Sequence, residues 1–174
     1  MLDYRTILEF ADRYIRMARS ETTQSNLELY LVPSILFSWI AIELFINNML
    51  DDFNSLPENM FELHEKAFLL ERRLKFESEG LNIGKFVLDQ TEYRRLENKI
   101  FFLIAKFSPG EKNLRGDSLW QNFERFKSVR NKLVHPRRET DLTTSISDAE
   151  NYLENAKEII KFVSKRVWGK SIEF

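Results

Sequence analysis

Apolar residues along this chain recur at alternating steps of three and four, the repeat that gives a helix one face turned from water. The first such stretch runs from about Asp3 to Arg19 and aligns Tyr4, Ile7, Ala11, Tyr14 and Ala18. From Leu29 to Leu50 the chain reads LYLVPSILFSWIAIELFINNML, apolar nearly all round, which predicts a central helix reaching about Asp51. Ser55 with Glu58 spells a capping box and Pro57 suits a first helical turn. A third helix should follow, with Met60, Leu63, Ala67, Leu70 and Leu74 on one face. The segment from Glu77 to Lys85 holds two of the five glycines and reads as a loop. A fourth helix is expected over Thr91 to Phe107, striped by Tyr93, Leu96, Ile100, Leu103 and Phe107, and stopped by Ser108-Pro109-Gly110. A fifth starts near Asp117 or Ser118, either a good N-cap, and turns Leu119, Phe123, Phe126 and Leu133 inward. Pro136 disfavours helical geometry in the residue before it, so this helix should finish at or near His135. Ser147 with Glu150 forms another capping box for the last helix, which carries Ile146, Ala149, Leu153, Ala156, Ile160, Val163 and Val167 and stops at Gly169. No strand or internal repeat is predicted. The expected fold is therefore all-α, a bundle of five or six helices forming one domain over residues 1–174.

Composition narrows the chemistry. The chain has 15 phenylalanines but only 5 glycines and 4 prolines, a balance that favours long helices over a many-turned sheet. There is no cysteine, which removes disulfides, thiol nucleophiles and Cys-based zinc sites. With only two separated histidines, no metal site has suitable ligand spacing, and no cofactor is expected. The net charge of −1 means that any affinity for nucleic acid must be local. The opening MLDYRTILEFADRY carries charges within its apolar pattern and does not read as a signal peptide. The Leu29–Leu50 segment is nearly long enough to span a bilayer. It holds Pro33, Glu43, Asn47 and Asn48, and its flanks are polar, so a buried central helix rather than a membrane span is expected.

Chemistry gathers at the end of the fifth helix, in Arg130-Asn131-Lys132-Leu133-Val134-His135. Asn131 and His135 are four apart and share a helical face, while Arg130 points partly aside. Imidazole is the side chain best suited to exchange a proton with a ribose 2′-OH near neutral pH. Arginine's planar fork matches phosphate oxygens and the charge that grows on them. Asn131 can orient either the imidazole or the phosphate. Between Arg125 and Arg138 lie six basic residues and no acidic one, so Lys127, Lys132, Arg137 and Arg138 are candidates for holding a phosphate backbone. The bland alternative is a solvated face whose cations favour the helix C-terminus. Glu43, on an apolar helix, needs a partner and could orient Arg130, or form a structural ion pair, or lie exposed at an interface.

That stretch resembles the Arg-x(4–6)-His signature of HEPN domains, with a polar residue directly after the arginine. Ala41-Ile42-Glu43-Leu44 resembles the family's earlier core helix, and DAENYLENAKEIIKFV is similar to its closing one. The resemblance spans roughly Leu29 to Val167, although only Arg130, Asn131 and His135 are specific to it. It implies a metal-independent endoribonuclease in which a 2′-OH attacks the adjacent phosphate, leaving a cyclic phosphate and a 5′-OH. His135 would be the general base or acid, Arg130 would stabilise the phosphate charge, and Asn131 would orient. Such proteins commonly serve as toxins in toxin–antitoxin or phage-defence systems. The implied partners are RNA, a second copy of the chain, and an antitoxin or regulatory protein, in the cytoplasm. A homodimer also suits the chemistry, since each chain brings one histidine to a reaction that needs both a base and an acid. Family members that have lost cleavage imply the alternative, a module that binds a nucleotide or a partner protein.

Other features read as structural. His64 stands among charged residues and is expected at the surface. The run from Gly80 to Phe86 is one spacer short of a phosphate loop and lacks its Ser or Thr, so it is rejected as one. Trp39, Phe101, Phe102 and Trp120 lie on helical stripes and read as core. For Trp120 and Phe126, close to the basic stretch, stacking on bases is the functional alternative.

Overall fold

The computed structural model describes residues 3–55, 60–110, 114–135 and 144–174. Asp3 caps the first helix, α1 (Tyr4–Ala18), its carboxylate accepting the Thr6 backbone N–H at 2.8 Å, and Ile7, Leu8, Ala11, Ile15 and Ala18 are buried along it. Helix α2 (Gln24–Asn54) has 31 residues and starts a turn and more before the predicted Leu29. Gln24 and Glu28, four apart, are hydrogen-bonded at 3.1 Å on the added turn. Among the described residues there are six α-helices and one two-stranded sheet, so the fold is mainly α as the hydrophobic pattern predicts.

The expectation of no strand is overturned. Helix α3 (Leu63–Leu69) stops well before Leu74, and Leu74 belongs instead to β1 (Arg72–Phe76), paired antiparallel with β2 (Phe86–Thr91). Leu74 faces Leu88, and Phe76 faces Phe86 with ring centroids 5.4 Å apart. Leu70 and Leu74 satisfy a helical step of four, but Leu74 and Phe76 equally satisfy a strand's step of two. In so short a run, tertiary pairing decides. The segment read as a loop is the hairpin connection: Gly80 and Gly84 take φ of 79° and 81°, and the Glu77 N–H donates to the Lys85 carbonyl at 2.9 Å. Because β2 runs through Thr91, helix α4 (Leu96–Phe107) begins later than predicted, and Tyr93 lies outside it, 86% exposed.

Helix α5 (Ser118–Val134) begins as predicted, with Asp117 accepting the Leu119 N–H at 2.9 Å, and ends with His135 as its C-cap. Helix α6 (Ile146–Trp168) ends on Gly169 at φ 68°, again as predicted. Its capping box is Ser145 with Asp148 rather than Ser147 with Glu150, because Ser147 is already inside the helix. Helix α3 is started by Glu62, whose backbone N–H donates to the Glu65 carboxylate at 2.9 Å. Of the predicted Ser55–Glu58 box, Glu58 falls outside the described residues, as does Pro57, and Met60 precedes α3, 47% exposed.

The chain divides into two compact units, residues 1–45 with 102–174, and residues 46–101. The first is a helical bundle. Ser34 of α2 donates to the Ala11 carbonyl of α1 at 2.9 Å, a close approach made possible by small side chains on both helices. Tyr14 and Phe37 meet at 5.6 Å, Phe45 lies edge-on to Trp168, and Arg19, the C-cap of α1, pairs with Glu150 of α6 at 2.6 Å. Helix α2 is long and apolar enough to cross a membrane by length and composition, and half of its apolar window is buried inside the protein.

The second unit holds the end of α2, α3, the hairpin and the start of α4. Its polar centre is Glu71, a non-glycine residue at φ 49° between α3 and β1. The Glu71 carbonyl accepts the Glu92 N–H at 2.7 Å, and its carboxylate accepts the Arg94 N–H at 2.8 Å and pairs with Lys99 at 2.9 Å. Lys99, only 8% exposed, also donates to the Asn47 side chain at 2.9 Å. Burial alone would raise the Glu71 pKa, but the Arg94 N–H and the Lys99 ammonium outweigh it and hold the carboxyl below its ordinary 4.5. These bonds hold the backbone in a region that L side chains rarely adopt.

Candidate functional site

Helix α5 places Phe123 and Phe126 fully in the core, and Arg130 follows one turn later along that buried stripe. The arginine stem therefore runs inward, leaving its side chain 25% exposed. Its seat is Trp39 of α2. That indole stacks on Phe123 at 5.2 Å with rings inclined by 17°, and meets Phe126 edge-on at 5.3 Å. The Arg130 guanidinium carbon sits 5.7 Å from the Trp39 ring centroid, within cation–π range.

Two further groups hold the guanidinium. Glu43, four residues after Trp39, accepts the indole N–H at 2.7 Å, and the same carboxylate oxygen lies 3.7 Å from Arg130 Nη2. At that separation the pair is coulombic rather than a direct hydrogen bond. Arg130 Nη1 donates to the Asn131 side-chain oxygen at 3.2 Å. Of the five N–H donors of the fork, only this one is hydrogen-bonded among the described residues.

His135 leaves the helix with φ −126° and ψ 63°, its backbone N–H still bonded to the Asn131 carbonyl at 2.9 Å. Its imidazole is exposed and forms no side-chain hydrogen bond among the described residues. Asn131 and Lys132 are exposed as well. Lys127 pairs with Glu124 at 3.4 Å, so part of its charge is already offset. Arg137 and Arg138 lie outside the described residues.

The structure thus brings Glu43, Arg130 and Asn131 into contact, with His135 at the same helix end. It adds Trp39, which reads from sequence as core alone. The readable signal was the spacing of Trp39 and Glu43, four apart on one helix, which lets an indole N–H reach a carboxylate. Trp120 is 5% exposed and Phe126 fully buried, so neither offers a face for bases to stack on. His64 is at the surface as expected, 3.2 Å from Glu62. Among the described residues, no group of three or more His, Asp or Glu is placed to hold a metal ion. Comparison of the chain with protein-family models, curated proteins and solved structures returns no match.

Proposed function

We propose that this chain is a metal-independent endoribonuclease of the HEPN type, acting as a cytoplasmic homodimer in a toxin–antitoxin or phage-defence setting. The observation that carries the reading is the seating of Arg130: a guanidinium held on Trp39 by Glu43 and Asn131, most of its donors without a hydrogen-bond partner among the described residues, at the helix end where exposed His135 leaves the helix. A positioned, pre-oriented cation stabilises growing phosphate charge without reorganisation. His135 exchanges the proton of the 2′-OH or of the leaving 5′-oxygen, and a second protomer supplies the complementary imidazole. Asn131 orients Arg130. Lys132, with Lys127, Arg137 and Arg138, holds the flanking phosphates.

An RNA cleavage assay in EDTA tests this, with wild type beside Arg130→Ala and His135→Ala. Cleavage by wild type alone, leaving cyclic phosphate ends, supports the reading. Intact RNA in all three lanes, with folded protein confirmed, rejects it.

One observation favours a second reading, a HEPN-like module that binds a nucleotide or a partner protein without cleaving. The His135 ring has no side-chain partner among the described residues to fix its tautomer, whereas acid–base histidines are usually oriented by one. In that case RNA stays intact while a partner or nucleotide co-purifies.

A further inference from the structure

The hairpin carries an apolar face that the protein covers only in part. Leu74 and Leu88, opposite each other, are half-buried, whereas Phe76 and Phe86 beside them are 54% and 58% exposed. Leu81 and Ile83 in the connection are exposed as well. Among the described residues the sheet has only these two strands, so β1 has an edge without a strand partner. Residues of an antiparallel strand alternate between bonding inward and outward. The Glu77 N–H donates across the hairpin to the Lys85 carbonyl and Lys75 is registered with Val87, so Lys75 and Glu77 bond inward. Leu74 and Phe76 therefore turn their N–H and C=O groups to the open edge. An open, apolar edge without proline or glycine is a template for another strand.

The charges along β1 say which strand. On the face away from the phenylalanines, Arg73 and Lys75 are followed by Glu77 and Glu79, and Glu79 is still extended at φ −140° and ψ 160°. The run Arg73-Leu74-Lys75-Phe76-Glu77-Ser78-Glu79 is thus antisymmetric in charge about Phe76. Set antiparallel to a copy of itself with the two Phe76 residues opposite, it brings Lys75 to Glu77 and Arg73 to Glu79, twice each by symmetry. Neighbouring two-fold registers are worse. Centring on Leu74 sets Arg73 against Lys75, centring on Lys75 sets lysine against lysine, and centring on Glu77 sets carboxylate against carboxylate. Like charges directly opposite destabilise a strand pair, so the cations that blunt this edge against other strands select this one. Within one chain Lys75 pairs with Glu77 at 3.2 Å, and on association it exchanges that carboxylate for the other copy's. We infer that the β1 edge is a self-association surface, joining two copies about an axis at Phe76 into a four-stranded sheet, β2-β1-β1-β2. Leu74, Phe76, Phe86 and Leu88 of both copies then form one continuous apolar face, which a lone hairpin lacks. This surface lies in the hairpin alone and is independent of the cleavage reading.

Because the chain has no cysteine, one introduced thiol reports the register. Phe76→Cys sets two thiols opposite each other with Cα atoms about 5.5 Å apart, within disulfide reach. Arg73→Cys separates them by the length of strand from Arg73 to Glu79, about 20 Å. Under mild oxidation of the full chain, Phe76→Cys should give a covalent dimer and Arg73→Cys should link about tenfold more slowly or not at all. Sedimentation velocity should show concentration-dependent association of the wild type, weakened about tenfold by Lys75→Glu or by Glu77→Lys. An equimolar mixture of those two variants should associate like the wild type, since their charges are complementary again, and that recovery also shows that both fold. A mixture that associates no better than its components, or equal cross-linking from positions 73 and 76, would overturn the assignment. Association indifferent to both charge reversals would place the interface elsewhere in the chain and overturn it too. So would a wild type that stays monomeric at every concentration; hairpin NMR signals that then shift with oligouridylate, or with an acidic peptide, would give the face to RNA or to a partner's strand instead.

Discussion

Two carboxylate–cation pairs in this protein have opposite characters. In the unit of residues 46–101, Glu71 and Lys99 meet at 2.9 Å, the lysine is 8% exposed, and both charges take additional hydrogen bonds from Arg94 and to Asn47. In the helical bundle, Glu43 and Arg130 stand 3.7 Å apart with side chains 38% and 25% exposed, and among the described residues most of the guanidinium donors have no hydrogen-bond partner. Desolvated charges are tolerable only when fully satisfied, so the first pair is a structural clamp on a strained backbone. The second is held in place but not saturated, which is the condition for a charge that must receive a ligand. On the proposed reading, residual bonding capacity rather than strength of pairing marks the charge that acts on a ligand.

Loss of Arg130 or His135 should matter most. Arg130→Ala or His135→Ala should lower RNA cleavage by about 10²–10⁴-fold, the usual contribution of a positioned charge or proton-transfer group. The melting temperature of His135→Ala should hold, because an exposed side chain contributes little to folding. Unfolding of that variant would instead make His135 structural.

On the structural side, Lys99→Met should destabilise the fold by about 3 kcal/mol in urea denaturation, since it strands the half-buried Glu71 carboxylate. Adding Glu71→Gln to that variant should recover part of the loss, the signature of a coupled pair. Additive losses would mean that the two residues act separately.

The pH dependence follows from the direction of the Glu71 shift. Its carboxyl sits below the ordinary 4.5 in the folded protein, so between those values the unfolded chain binds more protons. The stability it contributes is complete above about pH 4.5 and is lost as the pH falls through the folded pKa. Glu71→Gln should flatten that acid limb of the stability profile. An unchanged limb would place the acid sensitivity elsewhere.

Glu43→Gln should have the smallest effect. With both partners partly exposed, the loss in stability should stay under about 1 kcal/mol, and cleavage should fall about tenfold as Arg130 loses its alignment. Comparable destabilisation by Glu43→Gln and Lys99→Met would erase the distinction between the two pairs.

The features legible along the chain lie on single helices. Asp117 and Gly169 mark helix ends because their caps are local, and the end of α5 at His135 was legible from the proline that follows. The buried faces of α1, α5 and α6 were legible because a period near 3.6 repeats over four or more turns. The cluster Arg130, Asn131, His135 was visible as a short run, and Glu43 as a carboxylate in need of a partner. Tertiary structure decided the rest. Leu74 joined a strand because Leu88, fourteen residues on, lies across from it, and no local period distinguishes those states over so short a run. Trp39 became the seat of Arg130 through contacts between residues far apart in the chain. Hydrogen bonds and burial within four residues are written into neighbouring side chains, whereas contacts across helices depend on how whole faces pack.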